Sequence, residues 1–308
     1  MAQLDYFIVD VFTRNALAGN PLAVVLNSAS LSSAQMQAIA VEFNLSETAF
    51  IERRSLAVER DKGVRVRIFT TQEELDFAGH PTLGSASVLK LFAPEWAAHH
   101  TITLAENVGP IPVTFSKDTA GVFAEMTQRD PEFGPELDPT EVARLCGLEP
   151  ADLDPVAAPQ IVSTGTAFAI VLLRTHEALG RLKVRRQESY AWLRERGARW
   201  FYVLAPAPRS AQLPPDVDEN ESGTNYCARM QFNGGEDPAT GSAAGCAVSY
   251  LVKRKLASSG RQFLIWQGVE MGRPSEIFVS ATALGAKVCN VRVAGSTVLV
   301  ANGRLFLS

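Results

Sequence analysis

Three side chains have the type and setting for proton transfer: Glu47, His80 and Asp237. Glu47 stands in Asn44-Leu-Ser-Glu-Thr-Ala-Phe50, a polar break between an expected helix and an apolar strand. His80 and Asp237 each precede a proline and, four positions on, the triplet Gly-Ser-Ala. Carboxyl and imidazole groups exchange protons near neutral pH when burial or neighbours shift them suitably. Taken singly, each residue also has an ordinary explanation. Glu47 can be an exposed loop acid, His80 a cap or turn residue, and Asp237 a helix N-cap. What raises the functional reading is repetition: His80-Pro-Thr-Leu-Gly-Ser-Ala86 returns as Asp237-Pro-Ala-Thr-Gly-Ser-Ala243, 157 positions later.

The neighbours of the two copies match in the same order. A strand-like run precedes each, Val64 to Thr70 and Tyr226 to Phe232. A glycine-centred segment follows each, Ala105 to Val113 and Gln267 to Ser275. Upstream, Pro21 to Leu26 pairs with Ala167 to Leu172. One long period in two copies indicates two related halves rather than a solenoid. We place the halves at 1–128 and 129–308, with the last strands free to pack back on the first half. Helices are expected at Ser33–Glu42, Thr82–Phe92, Gln187–Arg196 and Thr240–Arg254. Strands are expected at Tyr6–Phe12, Ala23–Leu26, Thr48–Ile51, Val64–Phe69, Phe263–Trp266, Glu276–Ala281, Val288–Val293 and Thr297–Ala301. The fold class is therefore α+β: two pseudo-symmetric domains, each a mixed or antiparallel sheet wrapped around a central helix. His80 and Asp237 are then expected on opposite walls of one cleft, where two helix N-termini could receive a substrate carboxylate. Ala86, Ala243 and Ala244 are better read as close helix packing.

Other chemistries are excluded by pattern. Gly235 to Ser242 lacks the lysine of a phosphate loop, and neither a dinucleotide fingerprint nor a nucleophile elbow is present. His99, His100 and His176 lack partners at ligand spacing, and the four cysteines contain no C-x-x-C pair, so no metal or disulfide framework is expected. With 29 basic against 33 acidic residues and no dominant basic cluster, nucleic acid is not an expected partner. The N-terminus does not read as a signal peptide and the longest apolar run is too short for a membrane helix, which points to the cytoplasm.

These segments together resemble the phenazine-biosynthesis PhzF-like family. The resemblance is carried by Asp10-Val-Phe-Thr13, Gly19-Asn-Pro21, Asn44 to Phe50 and Arg67-Ile-Phe-Thr70. It continues in Glu74, Phe77 to Ala86, Asp237 to Gly245, Gln267-Gly268 and Gly272-Arg-Pro-Ser275, in family order over nearly the whole chain. It implies the diaminopimelate epimerase-like fold, a homodimer, no cofactor, and isomerisation of a dihydro-hydroxyanthranilate-type acid. By the same resemblance Glu47 carries the proton, His80 and Asp237 assist, and Gly79, Gly241 and Ser242 contact the substrate. Diaminopimelate epimerases use two thiols near the central helices. Here those stretches read Phe77-Ala-Gly-His80 and Asp237-Pro-Ala-Thr240, so two-thiol epimerisation is excluded. One departure bears on substrate identity: the family usually shows Arg-Met-Phe-x-Pro where this chain has Arg229-Met-Gln-Phe-Asn-Gly-Gly235. The expected activity is a proton-moving isomerase acting on a small cyclic or unsaturated carboxylic acid. The alternatives are a non-cysteine epimerase or racemase, and a non-catalytic small-acid binding protein of the same fold.

Overall fold

The structure is a computed structural model that describes residues 2–117, 121–208, 225–232 and 235–307. The chain divides into two compact units, residues 1–127 with 294–308, and residues 128–293. The first contains β1 (Ala2–Val11), β2 (Asn20–Val25), α1 (Ser33–Phe43), β3 (Glu47–Glu52), α2 (Leu56–Lys62) and β4 (Val64–Phe69), followed by β5 (Glu74–Leu75), α3 (Gly79–Phe92), β6 (Thr101–Glu106), β7 (Gly109–Lys117) and β8 (Val122–Thr127). The second contains β9 (Glu132–Glu136), α4 (Pro139–Cys146), β10 (Gln160–Ser163), β11 (Ala167–Leu172), α5 (His176–Gly180) and α6 (Arg186–Arg194). It continues with β12 (Trp200–Pro206), β13 (Tyr226–Phe232), β14 (Gly235–Asp237), α7 (Gly241–Lys253), β15 (Phe263–Gln267) and β16 (Ser275–Leu284). β17 (Lys287–Leu307) begins there and ends in the first unit.

In the first unit β1 pairs antiparallel with β2 and with the end of β17, from Ala2 opposite Leu307 to Val11 opposite Thr297. β2 and β3 are parallel, β3 and β4 antiparallel, β4 and β6 parallel, and β6 to β8 form an antiparallel meander. β17 also pairs with β8, so the strands return on themselves as a barrel-like sheet. α3 lies against β1, β2, β3, β6, β7 and β8, and every residue from Gly79 to Leu89 is buried. A helix apolar on all sides must sit inside a core. Leu83, Val88 and Leu89 are fully buried, worth about 1.5–3 kcal/mol each. The small residues let the sheet close in: a Cβ on Gly84 would fall 2.6 Å from Leu22 Cδ2. In the second unit α7 is buried from Gly241 to Val252 and packs on β10, β11 and β16. There β11 and β12 are parallel, as are β13 and β15, whereas β9–β10, β10–β11, β12–β13 and β15–β16 are antiparallel.

Several elements differ from expectation. Residues 294–308 group with the first unit, the packing back left open for the last strands, because their strand pairs along β1. Val288–Val293 and Thr297–Ala301 are one strand. α3 starts at Gly79, placing His80 inside its first turn. The N-cap of α7 is Thr240 rather than Asp237, which instead ends β14.

The approach to β2 is set by the chain before it. Asp10 Oδ2 accepts from Leu17 N at 2.7 Å, and Gly19 follows at φ +64°. A Cβ at Gly19 would lie 2.4 Å from the Val11 carbonyl oxygen, so only glycine fits both the left-handed backbone and the space. Gly19→Ala should lower stability by about 1–3 kcal/mol in urea unfolding. A loss within about 0.5 kcal/mol, the level of an ordinary surface change, would show that the turn relaxes freely.

Candidate active site

The first-unit cluster is built from three elements. α1 opens with a capping box in which Gln35 N donates to Ser32 Oγ and Ser32 N donates to Gln35 Oε1. It closes on Asn44 in the left-handed conformation (φ 51°), which turns the chain so that β3 starts at Glu47. β3 pairs in parallel with β2, Glu47 opposite Leu22, and β2 begins at Asn20. α3 supplies His80 from its first turn. The structure thus brings Glu47 and His80 together: His80 Nε2 lies 3.5 Å from Glu47 Oε2.

His80 is 3% exposed, and burial pushes its pKa down to about 3. The ring is therefore neutral at physiological pH. Asn20 Nδ2 lies 3.2 Å from His80 Nδ1. With the amide nitrogen of Asn20 toward the ring, Nδ1 is assigned as the acceptor, which puts the ring proton on Nε2, facing Glu47. His80 in this state presents an N–H toward the carboxylate, 3.5 Å away, and is not a competing base. Glu47 keeps 17% of its side chain exposed, enough for a ligand to reach it. Gly79 is the first residue of α3, and the N-cap Ala78 offers no capping side chain, so the positive end of the helix adjoins this cluster.

The second unit has its own polar cluster at the start of α7. Gln267, 1% exposed, makes four hydrogen bonds with its carboxamide. Oε1 accepts from Thr240 N (3.0 Å) and from Tyr202 OH (3.0 Å), while Nε2 donates to the Asp237 carbonyl (2.8 Å) and to Thr240 Oγ1 (2.9 Å). The backbone partners fix which end of the amide is which. With Thr240 Oγ1 already accepting, its own proton goes to Asp237 Oδ2 at 2.6 Å. The Asp237 carboxyl is thereby held as an acceptor, 9% exposed. Gly268 (φ +75°) allows the tight return after β15, since a Cβ there would fall 2.6 Å from the Pro238 carbonyl oxygen. Gly241 and Ser242 open α7, both buried, and Gln128 Nε2 donates to the Gly241 carbonyl at 3.0 Å.

Arg229, in the segment that departs from the family pattern, forms a two-pronged ion pair with Glu236, both bonds 2.7 Å. Asn233 and Gly234 of that segment lie outside the described residues. Thiol chemistry finds no support: burial pushes Cys246, within α7, up to about 11 and Cys227 up to about 12, away from the thiolate form. Among the described residues no group of three or more His, Cys, Asp or Glu is arranged to hold a metal. The His99 and Trp96 rings lie 4.9 Å apart, tilted by 53°. Sequence reasoning assigned no role to Asn20, Thr82, Glu106, Tyr202 or Thr240, whose partners depend on strand register. Asn20 and Gln267 did stand in the segments that carry the family resemblance.

The sequence profile of a family described as phenazine biosynthesis-like protein matches residues 9–303. An uncharacterized isomerase of Mesorhizobium japonicum is 36% identical, over 100% of this chain and 100% of its own. The trans-2,3-dihydro-3-hydroxyanthranilate isomerase of Pseudomonas aeruginosa is 32% identical, over 98% of this chain and 99% of its own. A solved structure of a predicted epimerase from Pseudomonas aeruginosa matches with a TM-score of 0.81 at 32% identity, over 99% of this chain and 100% of that one.

The tautomer assignment has a direct readout. In ¹⁵N NMR, His80 should show a bare Nδ1 and a protonated Nε2, with no titration from about pH 5 to about pH 8. Asn20→Ala should let the tautomers mix. A His80 that titrates near 6.5 would contradict the neutral, oriented ring.

Proposed function

The chain belongs to the phenazine biosynthesis-like protein family and is an isomerase, and we propose that it moves a proton between carbons of a small cyclic or unsaturated carboxylic acid with Glu47 as the carrier. The observation that carries this reading is the pairing of a partly exposed carboxylate with a neutral, buried imidazole that can only donate to it. Glu47 would take the proton from one substrate carbon and return it to another, and His80 Nε2–H would steady the carboxylate without competing for that proton. Asp237, Gly241 and Ser242 are proposed to bind substrate, Asp237 by accepting from a substrate hydroxyl or amino group, and Gly79 and Gly241 through the positive ends of their helices. The diaminopimelate epimerase-like description of the fold belongs to the same reading. So do action in the cytoplasm as a homodimer, and independence of metal, nucleotide cofactor, nucleic acid and membrane.

The substrate to try first is trans-2,3-dihydro-3-hydroxyanthranilate, on which the Pseudomonas aeruginosa relative is named to act, followed by other small unsaturated acids. A second reading, epimerisation, is favoured by the name of the structural neighbour. Chiral analysis of the product separates the two, since an epimer keeps the double-bond pattern and an isomer does not. Glu47→Gln, nearly isosteric, should lower turnover by about 10²–10⁴-fold while substrate affinity by calorimetry changes far less. His80→Ala and Asp237→Asn should weaken both. Near-normal turnover by Glu47→Gln would move the proton carrier elsewhere. Turnover should also survive dialysis against a chelator; activity that is lost and then restored by a divalent metal would overturn cofactor independence.

A further inference from the structure

Glu106 ends β6 and is 5% exposed, yet the proton transfer proposed above does not use it. Its Oε1 lies 2.7 Å from the Thr82 hydroxyl oxygen, which also lies 2.7 Å from the Ala78 carbonyl oxygen. A hydroxyl has one proton to give. The carbonyl can only accept, so both contacts are hydrogen bonds only if Thr82 donates to Ala78 and accepts from Glu106. A carboxylate cannot donate; a carboxylic acid can. An ionised Glu106 would leave one of these pairs facing oxygen to oxygen with no proton between them. The second carboxyl oxygen, Oε2, is buried with no protein hydrogen-bond partner, which is far costlier for an anion than for a neutral acid.

The second unit supports the same conclusion independently. Gln267 also ends the strand that follows its unit's central helix, and its Nε2 donates to Thr240 Oγ1 at the start of α7. Glutamine is the neutral isostere of a protonated glutamate, and here its Nε2 donates to a threonine hydroxyl at a helix start. We propose that Glu106 works as a neutral carboxylic acid, a positioning residue whose proton, given to Thr82, fixes the first turn of α3 and so aims His80 at Glu47.

The surrounding charged groups bond to other partners. Arg65 of β4 directs Nη1 to the Ala105 carbonyl (3.1 Å) and Nη2 to Asn107 Oδ1 (2.6 Å), on either side of Glu106. Arg67 of β4 pairs with Glu74 of β5, and Glu59 of α2 pairs with Arg53. β7 sets Gly109 opposite Glu106. α3 brings the neutral His80 and, at its far end, Lys90, bound to the Ala97 and His99 carbonyls. Burial dominates and pushes Glu106 up to about 8, opposed first by the contact with the Thr82 hydroxyl and then by Arg65.

The test uses linkage. In the unfolded chain a glutamate loses its proton near pH ~4.3. The folded residue keeps its proton to about 8, so its stabilising effect is complete below ~4.3 and is lost as pH rises through about 8. Urea unfolding of wild type and Glu106→Gln is compared from about pH 5 to about pH 9. Relative to the variant, the wild-type ratio of folded to unfolded protein should fall about tenfold per pH unit and level off above about 8. Parallel curves would overturn the proposal. If Glu106→Gln fails to fold, the ¹³C carboxyl resonance of Glu106 in the wild type decides. A midpoint far above ~4.3 supports the neutral acid, and one near ~4.3 overturns it. The positioning arm rests on the function proposed above. Thr82→Val should lower turnover by about 10- to 10²-fold, Thr82→Ser should restore it, and Glu106→Gln should lack the wild type's alkaline decline. Wild-type turnover by Thr82→Val would overturn the positioning role. The stability and NMR arms need no substrate, so they stand or fall separately from Glu47.

Discussion

The start of an α-helix carries amide groups that the helix itself cannot satisfy, and this protein buries two such starts in its cores. Neither α3 nor α7 is capped by the side chain of its N-cap residue. The polar groups around each start are served instead from a following strand, by Glu106 at the end of β6 and Gln267 at the end of β15. This constraint explains why polar side chains lie deep in otherwise apolar cores, and why glycine stands where the chain passes close by.

The same burial sorts the titratable groups. His80 loses its charge because burial disfavours the charged ring, and the thiols of Cys227 and Cys246 are held protonated for the same reason. Glu47 stands at the first position of β3, after the turn that closes α1, with 17% of its side chain exposed.

The repeated motif made the two central helices legible, because proline followed by Gly-Ser-Ala marks a helix start that must pack tightly. Glu47 and His80 were legible through their residue type and motif. Their hydrogen-bonded neighbours were not. Asn20 reaches His80 only because β2 and α3 meet in space, sixty positions apart in sequence, and no local pattern states that meeting. Asp237 read as an N-cap because it precedes a proline, but Gln267 captures the Thr240 hydroxyl and turns it toward Asp237, a bond made across 27 positions. Helix α4 was not among the expected helices although Asp138, Pro139 and Gly147 are sound start and stop signals. The break expected between Val293 and Thr297 failed because β1 and β8 supply pairing partners that carry the strand through.

The most direct test of Glu47 as the proton carrier is a crystal structure of Glu47→Gln holding unreacted trans-2,3-dihydro-3-hydroxyanthranilate. A near-attack geometry requires the residue-47 side chain to lie about 3–3.5 Å from the carbon that loses or gains the proton. The neutral His80 Nε2 should remain beside that side chain. A substrate bound with its reacting carbons beyond reach of residue 47 and against another acid or base would contradict the account.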